Sequence, residues 1–404
     1  MSEKVPLLNN RSNLTVLLLT TEYKDQIIGG LGRHVTDLVS EGTKRGLHFI
    51  VITISKTNEE SYKIEDGVHV FRLLPWQRNA KDFLEYIHNL NFRFSQFVLQ
   101  ELHLPFNLIH VHDWLTGIAG IQLKTFMNLP LLTTIHATEN GRKSGKVDKV
   151  SKRITEYETM LIHKSDQIIV CSQFMKNVLL DEFKCPIKKV EVIANGIIPK
   201  NYQSVIFEED AIHGFSHIKA PYLLAMGRHV KEKGFQHLIQ AFVDIQMDFP
   251  DLKLVIAGSG PDSKHLKQLT KELSIDNRVI FPGFVQNQER NMLLHHCEML
   301  VIPSLYEPFG IIALEGMITK KPVVAFTLGG LSEVLADDRG ILVNEATSKS
   351  LANTLQLYLS QPSLLKRNAM VGYDAAITNY NWSYIIEEMA DLYSKLVNTR
   401  REKE

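Results

Sequence analysis

Apolar residues fall along the chain in short continuous runs separated by longer, mostly polar stretches. In the first half the runs are Leu14–Thr20, His48–Ile54, Val68–Leu73, Leu108–His112, Leu131–Ile135, Gln167–Cys171 and Val190–Ile193. In the second half they are Tyr222–Ala225, Lys253–Ala257, Val279–Phe281, Met299–Ile302, Pro322–Phe326 and Gly340–Val343. Most are Val/Ile/Leu-rich without alternation, which predicts strands buried on both faces and hence parallel sheets covered by helices. Between them, Arg33–Arg45, Lys81–Leu102, Phe235–Phe249 and Ser350–Leu359 repeat apolar residues at the helical period. Strand and helix alternate, so the predicted class is α/β.

The alternation breaks once. After Asn195-Gly196, the segment Ile197–Ala220 is polar and without period, and carries an acidic patch at Glu208–Asp210. It reads as a linker. The expected layout is a first domain over 1–198, a linker over 199–218, a second domain over 219–380 and a closing helical segment over 381–404. A length of 404 residues agrees with two domains.

Composition narrows the function classes. Lys+Arg and Asp+Glu are both 45, so the formal net charge is zero, which argues against a nucleic-acid partner. The three cysteines, Cys171, Cys185 and Cys297, include no C-x-x-C pair. A disulfide framework and a cysteine zinc site are therefore not expected, and a reducing compartment fits. No apolar stretch approaches the length of a membrane span, and the N-terminus lacks a signal peptide's apolar region. The expected location is cytoplasmic, with peripheral membrane contact left open.

Ligands of parallel sheets bind beyond the carboxyl ends of the strands, so the residues just after each run are the candidates. The first run leads through Thr20–Tyr23 to Gly29-Gly30-Leu31-Gly32 and a helix. This reads either as a glycine-rich turn or as a place where backbone approaches a phosphate or sugar hydroxyl. After Tyr222–Ala225 comes Gly227-Arg228-His229-Val230-Lys231-Glu232-Lys233-Gly234. Arg228 and Lys233 in one turn suit a diphosphate, and a solvated basic loop is the alternative. After Met299–Ile302 comes Tyr306-Glu307-Pro308-Phe309-Gly310-Ile311-Ile312-Ala313-Leu314-Glu315. Here Pro308 suits the first turn of a helix, whose N–H groups around Gly310–Ile312 would point outward. Two carboxylates, Glu307 and Glu315, frame that segment. In the first half, His112-Asp113-Trp114 and Thr134-Ile135-His136 also follow strands. His110 and His112 share a strand face, but no third metal ligand stands beside them in sequence, so no metal is expected.

Taken in order, these motifs resemble the retaining nucleotide-sugar glycosyltransferases of the GT-B fold, in particular family 4 and the neighbouring glycogen and starch synthases. The resemblance extends over Gly-Gly-Leu-Gly, His112-Asp113-Trp114, Thr134–Glu139, Asn195-Gly196, Gly227–Gly234, Glu307/Glu315, Pro322–Ala325 and Gly329–Val334. It implies two Rossmann-like parallel-sheet domains facing each other across a cleft, with the C-terminal helix crossing back to the first. It further implies that Arg228 and Lys233 bind the donor diphosphate, that Glu307 holds the donor sugar near its reacting carbon, and that Glu315 binds the ribose. His136 would contact the sugar 6-hydroxyl, Gly30 would approach the phosphate or acceptor, and Asp113 and Asn195 would line the cleft. The base would lie near Gly283, Phe284 and Val285, and the N–H groups of Gly310, Ile311 and Ile312 would face the phosphates. One departure stands out: the lysine that bacterial glycogen synthases carry two residues before the paired glycines is Ile27 here.

The implied reaction transfers a hexose, most simply glucose, from a UDP- or ADP-sugar to a hydroxyl of a sugar or other acceptor. It needs no metal or other cofactor, and the sequence contains no D-x-D. The alternatives are glucan elongation of the glycogen-synthase type, a nucleotide-sugar epimerase or hydrolase on the same fold, and a non-catalytic binding protein.

Overall fold

The computed structural model of the chain describes residues 14–145, 147–202, 218 and 221–401. Most of the expected linker, including its acidic patch, lies outside the described residues. The described residues form two compact units, one from Met1–Asn195 and Trp382–Glu404, the other from Gly196–Asn381.

The first unit runs β1 (Thr15–Leu19), α1 (Gly30–Lys44), β2 (His48–Ile54), β3 (Ser61–Glu65), β4 (Val68–Leu73), α2 (Phe83–Gln100), β5 (Leu108–His112), α3 (Gly117–Met127), β6 (Leu131–Ile135), α4 (Glu139–Arg142), α5 (Lys149–Lys164), β7 (Gln167–Val170), α6 (Gln173–Asp181) and β8 (Val190–Val192). The second runs β9 (Tyr222–Met226), α7 (Phe235–Ile245), β10 (Lys253–Ala257), α8 (Ser263–Glu272), β11 (Val279–Gly283), α9 (Asn287–His296), β12 (Met299–Ile302), α10 (Ile311–Ile318), β13 (Val323–Phe326), α11 (Leu331–Val334), β14 (Ile341–Val343), α12 (Ser348–Leu359) and α13 (Pro362–Asn379). The last helix, α14 (Trp382–Arg401), belongs with the first unit.

The first sheet has the order β3-β4-β2-β1-β5-β6-β7-β8 and the second β11-β10-β9-β12-β13-β14. All pairings are parallel except β3 with β4. The continuous apolar runs are the cause. Leu223, Leu254, Ile256, Val301 and Val324 are buried under Phe235, Leu238 and Phe242 of α7 and Leu351 and Leu355 of α12. In the first unit Val16–Leu19 are fully buried, and Trp382, Ile386 and Tyr393 of α14 are buried with them. Each such side chain contributes roughly 1.5–3 kcal/mol relative to exposure.

Three expectations are corrected. Strand β3 was not anticipated, because Ser61–Glu65 is an edge strand with Tyr62 and Ile64 exposed and lacks a continuous apolar run. Helix α2 starts later than the periodic stretch suggests, because the Asp82 carboxylate accepts the Glu85 N–H at 2.9 Å and caps it. Helix α10 begins at Ile311, so Pro308 precedes the helix instead of occupying its first turn. The cause is Gly310, whose φ of 100° interrupts helical geometry just before Ile311.

In each sheet the chain winds outward one way, then returns and winds outward the other way. The direction changes between β1 and β5 in the first unit and between β9 and β12 in the second. Loops from adjacent strands diverge there and leave room for a ligand. The segments after those four strands carry Glu22, Asp113, Arg228 with Lys233, and Glu307.

Candidate active site

In the second unit, pairing of β9 with β12 brings the Gly227–Gly234 segment against Pro303–Gly310. The backbone N–H groups of Leu305 and Tyr306 both donate to the Glu232 carbonyl, at 2.8 and 3.4 Å. This places the Lys233 ammonium 2.5 Å from Glu307 Oε2, with both side chains largely buried. Arg228 is half exposed, and its nearest carboxylate, Glu232, stands 3.7 Å away. Its guanidinium therefore remains available to an anion.

Two glycines make this approach possible. Gly234 has φ 65°, and a Cβ there would lie 1.9 Å from the Pro303 carbonyl oxygen. Gly329 has φ 59°, and its Cβ would lie 2.3 Å from the Glu307 carbonyl oxygen. Neither contact can relax, because both involve backbone. The Gly329-Gly330 turn thus buttresses Glu307 directly, and the Gly330 N–H donates to the Glu307 carbonyl at 2.9 Å. The first turn of α10 presents the N–H groups of Ile311 and Ile312, both half-buried.

Glu315 lies within α10 and is buried. Its Oε1 accepts from Tyr202 Oη at 2.9 Å and pairs with Arg290 Nη2 at 2.8 Å. Arg290 also donates to Tyr202 Oη at 2.8 Å. Oε2 of Glu315 is buried without a hydrogen-bond partner. Phe284 is exposed and Val285 half-buried, just past the end of β11 at Gly283.

In the first unit, Asp113 follows β5 with φ 57° and ψ 177°, a region that costs a non-glycine residue about 1–3 kcal/mol. The strain is held by its carboxylate, which accepts the His136 N–H at 2.7 Å. Burial pushes the Asp113 carboxyl up to about 6, against the opposing pull of Arg142 and two backbone N–H groups. His112 Nδ1 lies 3.0 Å from His136 Nε2. His112 Nε2 is buried and unpartnered, and a bare acceptor is less costly to leave unpaired than an N–H. Burial, with the nearby charge of Arg142, lowers the pKa of His136 to about 3, so its imidazole is neutral.

Sequence reasoning missed His34, one turn into α1. Its ring lies 4.8 Å from that of His136 and 5.2 Å from the indole of Trp382. The nitrogens of His34, His112 and His136 lie within 4.8 Å of one another. Burial holds the imidazoles of His34 and His112 well below the usual histidine range, so this trio is neutral. These are the described residues with the donor set for a transition ion, but the His112–His136 hydrogen bond already occupies one nitrogen of each. Asn195 is buried beside His34, where it opposes the downward shift. Gly30 is exposed in the first turn of α1. Just before it, the N–H groups of Ile28 and Gly29 donate to Glu22 Oε2 at 2.7 and 3.0 Å.

The structure thus brings Arg228, Lys233, Glu307 and the start of α10 together in the second unit. It brings Asp113, His136 and Asn195 together, around His34 and His112, in the first. Tyr202 and Arg290, which hold Glu315, and Glu158, below the segment after β6, carried no motif that would single them out.

Glu158 is buried, and its Oε1 accepts the Glu139 N–H at 2.8 Å. Burial raises its carboxyl to about 8 against the opposing pull of the Glu139 N–H and of Arg142, and the charges of Asp113 and Glu139 add to the rise. The folded chain therefore keeps a proton that the unfolded chain releases near the ordinary glutamate value. Stability is expected to fall as pH rises between about 4.5 and 8, by up to ~1.4 kcal/mol per pH unit. Glu158→Gln keeps the accepting oxygen and should flatten that slope. Urea unfolding of both proteins at pH 5, 6, 7 and 8 measures it, and equal slopes would exclude Glu158 as the cause.

Residues 28–201 match the family model described as Glycosyltransferase Family 4, and residues 208–375 the one described as Glycosyl transferases group 1. The uncharacterized glycosyltransferase MJ1607 of Methanocaldococcus jannaschii is 31% identical over 393 residues, covering 94% of this chain and 98% of the relative. A glycogen synthase of Mycobacterium tuberculosis is 28% identical over 94% of each chain. Among solved structures, sucrose-phosphate synthase from Thermosynechococcus elongatus superposes with a TM-score of 0.82 at 22% identity, covering 96% of this chain and all of that one. Anabaena HepE, solved in complex with UDP and glucose, superposes with a TM-score of 0.76 at 19% identity, covering 94% and 99%. At these identities the structural likenesses establish the fold.

Proposed function

The chain belongs to glycosyltransferase family 4 with the GT-B fold, and from that premise we propose that it transfers a hexose from a nucleoside-diphosphate sugar to an acceptor hydroxyl with retention at the anomeric carbon. The observation that carries this reading is the convergence of Arg228, Lys233 and Glu307 at the strand-order reversal of the second sheet. The bond to the diphosphate breaks with charge building on the departing oxygen. Arg228, Lys233 and the first N–H groups of α10 offset that charge, and no metal is required for it. The acceptor oxygen attacks the same face of the sugar, and its proton passes to the leaving phosphate oxygen.

Glu307 accepts from hydroxyls of the donor sugar. Glu315, already oriented by Tyr202 and Arg290, receives the ribose on its unpartnered Oε2. The neutral His136 donates to the sugar 6-hydroxyl. Phe284 and Val285 border the base, and Gly30 and Asn195 serve the acceptor side. The donor is UDP- or ADP-glucose. UDP is the nucleotide bound by HepE, and glycogen synthase is among the relatives. That relative also favours glucan elongation as a second reading.

A diphosphate site should stabilise the protein against heat. At a hundred times its dissociation constant, the matching nucleotide adds about 2.7 kcal/mol. Thermal unfolding with UDP, ADP and GDP should show one clear rise in melting temperature, and no response to any of them would reject the donor site. NMR of the product from the matching sugar nucleotide then reads the anomeric configuration, where inversion would refute the mechanism.

A further inference from the structure

Among the described residues, four histidines of the first unit gather in one place: His34 of α1, His110 and His112 of β5, and His136 just past β6. Sequence spacing pairs His110 with His112 and offers no third metal ligand. The fold regroups them. Both ring nitrogens of His110 are engaged, Nδ1 with Tyr393 Oη at 2.9 Å and Nε2 with Thr134 Oγ1 at 2.8 Å. His110 is therefore a hydrogen-bonded core residue, and α1 supplies His34 in its place.

The other three histidines are less well satisfied. His34 is 2% exposed, and neither of its ring nitrogens has a hydrogen-bond partner. His112 Nε2 and Asn195 Oδ1 are also buried and unpartnered. Buried polar atoms are normally paired, and orphans clustered in one place call for a bound group. Here the orphans belong mostly to imidazoles, the commonest ligands of transition ions.

The three rings form a nearly equilateral triangle. Their centroids are 4.8 Å apart for His34 and His136, 5.3 Å for His112 and His136, and 5.5 Å for His34 and His112. Three imidazoles on one tetrahedral ion, each with its nitrogen about 2.0–2.1 Å from the metal, have ring centres about 5.2 Å apart. The donor nitrogens lie within 4.8 Å of one another. Ring rotation closes them to the ~3.3 Å between two ligand atoms of such an ion. His112 Nδ1 and His136 Nε2, at 3.0 Å, are already near that spacing. Their hydrogen bond gives way to the ion, and each imidazole keeps its proton on the nitrogen facing away, so none is released. Burial holds all three rings neutral, which leaves each a lone pair to donate at neutral pH. His136 is half-buried, so an ion has a way in.

We propose that His34, His112 and His136 form a trihistidine site for a divalent transition ion such as Zn²⁺, with Asn195 Oδ1 accepting from a water on its fourth position. An all-imidazole set selects against Mg²⁺ and Ca²⁺, which take oxygen ligands. The ion is an inhibitor and takes no part in sugar transfer. Once ligated, His136 is withdrawn from the 6-hydroxyl of the donor sugar. The site itself stands on the geometry of the trio, and the inhibition rests on the reading of the chain as a transferase.

The test uses the full chain, stripped with EDTA and titrated with CoCl₂ or ZnCl₂ without nucleotide. Co²⁺ should develop the visible absorption of tetrahedral coordination, saturating at one ion per chain, and Zn²⁺ should displace it while Mg²⁺ should not. His34→Gln and His112→Gln should each weaken Zn²⁺ binding tenfold or more, whereas substitution of the exposed His48 by Gln should leave it unchanged. If either buried variant unfolds, histidine ring ¹⁵N spectra of the wild type carry the test, because Zn²⁺ should shift one nitrogen of each of three imidazoles. Absence of the cobalt bands, unshifted ring nitrogens, or folded variants that bind Zn²⁺ as tightly as wild type would overturn the site. Zn²⁺ should also stop sugar transfer with the same midpoint, and EDTA should restore it. Binding that leaves transfer intact would sustain the site and overturn the inhibition. Binding by a chain that no nucleotide stabilises would sustain the site and remove the transferase reading.

Discussion

Arg228→Ala is expected to lower the rate of sugar transfer by about 10²–10³, corresponding to ~3–4 kcal/mol of lost transition-state stabilisation. The guanidinium is half exposed and its nearest carboxylate, Glu232, is 3.7 Å away. Little folding energy depends on it, so the variant should melt within a degree or two of wild type. Its work is proposed to be on the departing diphosphate. Steady-state kinetics with the matching sugar nucleotide would show a fall in kcat and a weaker nucleotide-induced melting shift. Wild-type kcat would remove Arg228 from the leaving-group site.

Glu307→Gln is expected to reduce kcat by at least about 10², with a smaller effect on donor KM, because an interaction made mainly in the transition state is lost. The structure supplies the competing possibility in the same contact. Lys233 sits 2.5 Å from Glu307, so Glu307 could serve only as its counter-ion. In that case the amide would release Lys233 to the diphosphate, tighten UDP or ADP binding and leave kcat within about threefold. Lys233→Ala separates the two further. It should weaken nucleotide binding under either account, and it leaves a largely buried carboxylate unpaired, so a lower melting temperature should accompany it. Kinetics on both single variants, with nucleotide affinity measured separately, distinguishes them.

The strands of both sheets, apart from β3, were legible because continuous apolar runs report burial on both faces, and that is a local property. The candidate residues were legible for a related reason: Arg228, Lys233, Glu307, Asp113 and His136 follow such runs directly. Strand β3 escaped because an exposed edge strand needs no such run.

What the chain determined by itself, then, was an alternation of elements and the chemistry carried at their carboxyl ends. Pairing across the sequence was decided only in three dimensions. Lys233 meets Glu307 across 74 positions because β9 lies beside β12, an adjacency set by sheet order. Glu315 is held by Tyr202 and Arg290 because a buried carboxylate must find its partners among whatever the fold brings near. His34 reaches His112 and His136 because the fold sets the start of α1 beside the carboxyl ends of β5 and β6, and burial then makes all three neutral. Local periodicity encodes which face of an element is apolar. The partner opposite that face, and with it the Lys233–Glu307 and Arg290–Glu315 pairs and the shifted proton affinities described above, follows from topology and desolvation, which no short stretch of sequence contains.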